Sequence, residues 1–135
     1  MRRMIAAGTG DPPDGANDPP DGDRQTQLLR GALDMCLLAL LAKKSAHGYE
    51  LVRRIEAAGF TGVGYGTIYP LMTRMRRLGL VANETQPSPA GPDRKVYALT
   101  AAGHARLRSW RQQWATFVGL VDATLTDAVG DNPRS

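Results

Sequence analysis

The chain has 135 residues, 42% of them hydrophobic and 22% charged, a composition that suits one soluble domain with a real core. Its longest apolar run, residues 35–42, falls far short of the ~20 residues a membrane helix needs. Arg2 and Arg3 are followed by no apolar signal segment, and a single Cys36 excludes an intramolecular disulfide, so a cytoplasmic protein without a membrane partner is expected.

The net charge of +4 is unevenly spread. Residues 1–27 carry three basic and five acidic side chains, net −2, whereas residues 28–135 carry 14 basic against eight acidic, net +6. A basic folded part points to a polyanionic partner, with a merely solvated surface as the alternative.

Residues 1–26 read as a disordered tail. They hold a Pro/Asp/Gly repeat, Asp11-Pro12-Pro13-Asp14-Gly15 and Asp18-Pro19-Pro20-Asp21-Gly22, which has little to bury and breaks regular structure. Leu29, Leu33, Cys36, Leu37, Leu40 and Leu41 then recur at helical spacing and predict a first helix over 28–43. With Leu38 and Ala39 added, that helix is apolar on more than one side and needs more than one cover. Ser45 is the expected N-cap of a second helix over 47–58, with Leu51, Val52 and Ile55 inward and Gly59 as its stop. A Gly-rich turn leads to a third helix over 67–78, with Pro70 expected in its first turn and Gly79 after it. Residues 80–84 and 95–99 predict two strands joined by a Pro-rich loop. Thr100 caps a long last helix over 101–125, and residues 127–135 are expected to fray.

The order helix, helix, helix, hairpin, helix is mainly α with a small β-hairpin wing. It predicts a winged helix-turn-helix over 27–100 followed by a C-terminal dimerisation helix over 101–126. On the third helix, Ile68, Leu71, Met72, Met75 and Leu78 fall on one side. Tyr69, Pro70, Thr73 and Arg77 lie opposite, with Arg74 and Arg76 at the edges. Such a ridge fits a major groove. Arg grips a guanine edge or a phosphate, Thr73 donates to phosphate or meets a thymine methyl, and the Tyr69 hydroxyl reaches phosphate. Thr67 in the first turn, and Arg94 and Lys95 at the wing tip, complete the expected contacts with double-stranded DNA. Arg53 and Arg54 are further candidates for phosphate, of which at least one points elsewhere.

These residues also carry a resemblance. Leu29-Arg30-Gly31-Ala32-Leu33 with 37–41, His47-Gly48-Tyr49-Glu50-Leu51, and Gly66-Thr67-Ile68-Tyr69-Pro70-Leu71 resemble the PadR family of transcription regulators. So do Arg74, Leu78-Gly79-Leu80, Val96-Tyr97-Ala98-Leu99-Thr100 and Gly103, and the likeness runs over about residues 28–125. It implies a cytoplasmic homodimer, usually a repressor, on a roughly palindromic operator. The third helix would read the major groove and the wing would touch the backbone. A small aromatic or drug-like molecule would trigger release. The single last helix matches the compact subfamily, while the repeat of the tail is foreign to the family pattern. The alternative function class is a winged-helix module that docks a protein partner.

In the last helix, Leu107, Trp110, Trp114, Phe117, Val121 and Thr124 step by three and four, a seam for a partner helix. With Leu33 and Leu37 of the first helix they are the expected dimer interface. In ligand-responsive branches of the family a Trp on this helix lines a pocket between subunits, and Trp114, fourteen residues after Thr100, is at a comparable place. Trp110 and Trp114 are thus candidates to stack on an effector, or else simply fill the interface. No catalytic, cofactor or metal constellation is expected: His47 and His104 lack neighbouring ligands, Cys36 reads as a core thiol, and Gly62, Gly64 and Gly66 make no phosphate loop.

Overall fold

Residues 21–129 are described by the computed structural model. The helical spacing that begins at Leu28 does not make one helix. It makes two, α1 (Asp21–Arg30) and α2 (Leu33–Lys43), separated by a turn at Gly31 and Ala32 in which the Ala32 amide donates to the Leu29 carbonyl at 2.8 Å. Residues 21–26, expected in the tail, are therefore helical. The rest of the expected tail, residues 1–20, lies outside the described residues, as do residues 130–135.

After α2 come β1 (Ala46–His47), α3 (Gly48–Ala57), α4 (Tyr65–Arg77), β2 (Val81–Gln86), β3 (Arg94–Leu99) and α5 (Ala101–Val129). The expected hairpin is present, with Val81 opposite Leu99 and Gln86 opposite Arg94. A third strand joins it, because Ala46 and His47 pair with Tyr97 and Val96, giving the antiparallel order β1-β3-β2. Two residues are too few for a period-2 pattern to announce.

The core is a single apolar cluster. Leu37 and Leu38 of α2, Leu51 and Ile55 of α3, and Ile68 and Met72 of α4 are completely enclosed, with Tyr97 of β3 and Leu80 closing the base of the wing. Each such side chain removes apolar surface worth ~1.5–3 kcal/mol, which is what holds three short helices together. Leu33 and Leu37, expected at an interface between copies, are buried inside the one chain. The reason is that α5 returns over α2 and its Leu107 and Trp110 pack on the same cluster.

Four helix ends are set by local chemistry. His47, not Ser45, caps α3: its Nδ1 accepts the Glu50 amide at 3.3 Å. Both α3 and α4 end in a Schellman turn on a glycine with positive φ, 108° at Gly59 and 77° at Gly79. At the second, the Leu80 amide reaches the Met75 carbonyl and the Gly79 amide that of Arg76, each at 3.0 Å. That turn carries Leu80 into the core and leaves Leu78, expected inward, 51% exposed. Thr100 caps α5 as expected, its hydroxyl accepting the Gly103 amide at 3.0 Å while donating to the Gly79 carbonyl at 2.7 Å. The last helix continues to Val129, through residues expected to fray.

Candidate nucleic-acid interface

The α4 helix starts at Tyr65, two residues earlier than its spacing suggested, where Thr67 and Ile68 amides donate to the Gly64 carbonyl. Pro70 consequently sits inside the helix rather than in its first turn. Its missing N–H deprives the Gly66 carbonyl of the usual i→i−4 partner. Ile68, Met72 and Met75 anchor one side of α4 in the core, and Leu71 is half-buried. The other side presents Thr67, Tyr69, Arg74, Arg76 and Arg77 to solvent, with Thr73 half-buried between them. This is the division expected from the sequence: an apolar stripe fixes the helix and a cationic ridge stands clear of it.

Arg94 and Lys95 open β3 and are exposed. They do not sit in the loop proper, since they pair with Gln86 and Thr85 across the hairpin. A cleft of about 690 Å³ separates this end of the wing from the helices, lined by Tyr49, Arg53, Tyr65, Asp93, Arg94 and Lys95 among others. Arg53 therefore belongs to the basic surface. Arg54 does not: it donates to the Lys44 carbonyl at 2.8 Å and the Ser45 carbonyl at 3.3 Å, and pairs with Glu50 at 2.6 Å. Its guanidinium holds the Glu50 carboxyl below the usual carboxylate range, chiefly by that hydrogen bond. Among the described residues this is the one ion pair, so the cations of α4 and the wing are uncommitted.

A tyrosine cluster behind this face had no signal of its own in the sequence. The Tyr49 and Tyr65 rings stack with centroids 4.7 Å apart at 19°, and Tyr69 lies 5.6 Å from Tyr65 at 46°. Tyr97, buried in the central strand, has Tyr65 as a close polar neighbour. Burial first, and then its tyrosine neighbours, push the Tyr97 phenol up to about 12. The one available hint was Gly48, the residue that opens α3. A Cβ there would overlap the Tyr65 ring.

The expected interface residues of α5 divide in two. Leu107 and Trp110 pack on the chain's own core, and Arg106 lies over the Trp110 ring at 5.9 Å. Trp114, Phe117 and Val121 stay exposed, with Leu120 and Leu125 beside them. Trp110, Trp114 and Phe117 line one wall of an open groove of about 940 Å³, and Leu28, Cys36 and Phe60 are on its other sides. Burial, and then the charge of Asp34, raise the pKa of the Cys36 thiol, which disfavours a reactive thiolate. Among the described residues no cluster of three His, Cys, Asp or Glu could hold a metal ion, and no helix is long and apolar enough to cross a membrane.

The family model described as "Transcriptional regulator PadR-like family" matches residues 37–109. The crystal structure of a PadR-like transcriptional regulator from Bacillus cereus is 34% identical and superposes with a TM-score of 0.63, covering 78% of this chain and 99% of that one. A padR family transcriptional regulator from Eggerthella lenta gives a TM-score of 0.71 at 33% identity over 76% of this chain and 89% of its own. A transcriptional regulator of Mycobacterium tuberculosis is 34% identical over 83 residues, 62% of this chain and 76% of the relative.

Proposed function

Since this chain belongs to the PadR-like family of transcriptional regulators, we propose that it binds a roughly palindromic operator as a homodimer in the cytoplasm and represses the adjoining gene. The observation that carries this is the two-faced α4. Ile68, Met72 and Met75 hold it in the core while Tyr69, Arg74, Arg76 and Arg77 project from it, with Arg94 and Lys95 exposed on the neighbouring wing. In the bound state α4 lies in the major groove, where an arginine grips O6 and N7 of guanine, and the wing cations and Arg53 neutralise phosphates. The exposed stripe of Trp114, Phe117 and Val121 supports pairing of two copies through α5. The groove beside Trp110 and Trp114 supports a planar aromatic effector that stacks there and releases the DNA.

Selection of bound fragments from genomic DNA tests the reading. The expected result is a common, nearly twofold sequence whose binding falls steeply with salt. Arg74→Ala or Arg77→Ala should then cost about 1–3 kcal/mol per half-site and relax one position in each half of that sequence. Wild-type affinity in both variants would show that α4 does not read bases. Enrichment of no sequence at all would favour a protein partner for the basic face. Quenching of Trp fluorescence by planar cationic or phenolic compounds, with loss of operator binding, tests the effector.

A further inference from the structure

Base contacts from α4 and backbone contacts from the wing can be made together only if the two are held at a fixed distance. The wing is a hairpin whose outer end, residues 87–93, is a loop, so its cationic end is aimed only by what grips its base. Tyr65 touches every element involved. It stacks on Tyr49 of α3, its ring centroid lies 5.6 Å from that of Tyr69 one turn along α4, and its phenol is a close neighbour of that of Tyr97 in β3. Tyr97 is the central pairing residue of the sheet, opposite both Ala46 and Asn83. Lys95 precedes Tyr97 by two residues in the same strand, so its side chain leaves the sheet on the same side. Both Tyr65 and Lys95 line the cleft between helices and wing, with Arg53 also on its wall. Even the backbone is cut to fit, because only a residue without a Cβ at 48 leaves room for the Tyr65 ring.

We propose that Tyr65 is a positioning residue that sets the distance between α4 and the wing, so that one duplex backbone is gripped in the cleft by Arg53 and Lys95 while α4 reads the groove. The proposal rests on the operator-binding reading above. It makes the contribution of Lys95 conditional on Tyr65. A lysine delivers its charge to a phosphate only if the strand that carries it is aimed there, and the tyrosine cluster does the aiming.

The test is a double-mutant cycle on the full chain with operator DNA recovered by genomic selection, read as Kd against salt concentration. Lys95→Ala alone should weaken binding about 5- to 10-fold and lower the salt slope by about two, one for each subunit of the dimer. Tyr65→Leu should weaken binding comparably while thermal melting stays cooperative. In the Tyr65→Leu background, Lys95→Ala should then cost less than about twofold, because the charge is no longer delivered. If the two losses simply multiply, or if Tyr65→Leu binds like wild type, the positioning role is overturned. Should Tyr65→Leu fail to melt cooperatively, Tyr65→Phe carries the test. It keeps the ring and removes only the hydroxyl beside Tyr97, and a smaller Lys95 effect in that background is expected, an unchanged one being contrary. A wild-type chain that selects no sequence overturns the operator reading itself, whereas a selective wild type with independent Tyr65 and Lys95 overturns this inference alone.

Discussion

Gly48 and Gly103 are both closely packed, and the difference between their neighbours decides what a methyl group would do at each. At Gly103 a Cβ would overlap the Leu80 backbone carbonyl and press on the Leu99 side chain, neither of which has anywhere to go at the junction of wing and α5. Gly103→Ala should therefore cost ~1–3 kcal/mol in urea denaturation, the range for overpacking a tight site. At Gly48 the obstacle is the Tyr65 ring, which swings on its own χ1. Gly48→Ala should cost less stability than Gly103→Ala and lose more operator affinity, because the stack with Tyr49 is what breaks. The reverse ranking would count against the role given to the cluster. Tyr97 supplies a second residue-scale prediction. Its folded-state pKa of about 12 stands above the ordinary value of 10, so above pH 10 the unfolded chain loses a proton that the folded chain keeps. Tyr97 thus contributes stability that is complete below pH 10 and is lost as pH rises from 10 to about 12. Tyr97→Phe should flatten the decline of the urea midpoint across that window, and an identical slope in the two proteins would count against a buried phenol with a raised pKa.

At the scale of elements, periodicity located the helices well and their ends poorly. The inward residues of α3 and α4 were readable because three or four apolar positions at helical spacing admit one packed face, and Leu51, Ile55, Ile68, Met72 and Met75 lie there. Leu78 continues the same spacing yet faces solvent, since a Schellman turn spends its apolar contact on the residue after the glycine, Leu80. The start of α4 is hidden from the sequence because Gly64 and Gly66 together resemble a Gly-rich turn, whereas of the two only Gly64 is outside the helix. The tyrosine cluster was illegible for a different reason. Its members are contributed by α3, α4 and β3, and no local pattern reports contacts between residues so far apart in sequence. Gly79 gives the test at this scale. With φ at 77°, an alanine there pays for a left-handed backbone, about 1–2 kcal/mol. Gly79→Ala should lower the urea midpoint accordingly while far-UV circular dichroism stays unchanged; no loss of stability would mean that the turn re-forms without the strain.

At the scale of the whole molecule, α5 explains why Leu33 and Leu37 were misplaced and what the chain leaves unfinished. The helix spans 29 residues, about 43 Å, and only its first half has a core to lie on. Leu107 and Trp110 take up that core, which is what closes Leu33 and Leu37 inside the subunit. Beyond them the same seam runs out over solvent, with Trp114 42% and Phe117 57% exposed. A helix that keeps its apolar stripe after leaving its own domain needs another surface, and in the proposed dimer a second copy of α5 supplies it. Twofold symmetry makes each side chain of the stripe count twice. Phe117→Glu removes two buried rings and places two carboxylates near one another, which should weaken self-association by about 100- to 10,000-fold on the scale of ~1.5–3 kcal/mol per ring. Sedimentation equilibrium should show dimer for wild type and monomer for Phe117→Glu at micromolar concentration, with helix content preserved. Gln112→Glu, which changes charge at an exposed position off the stripe, should stay dimeric. Operator affinity should fall with the dimer in Phe117→Glu although α4 and the wing are untouched, because a half-site held by one copy loses the second set of contacts. A wild-type chain that sediments as a monomer and still binds its operator would overturn the assignment of this stripe, leaving α4 and the wing to account for binding alone.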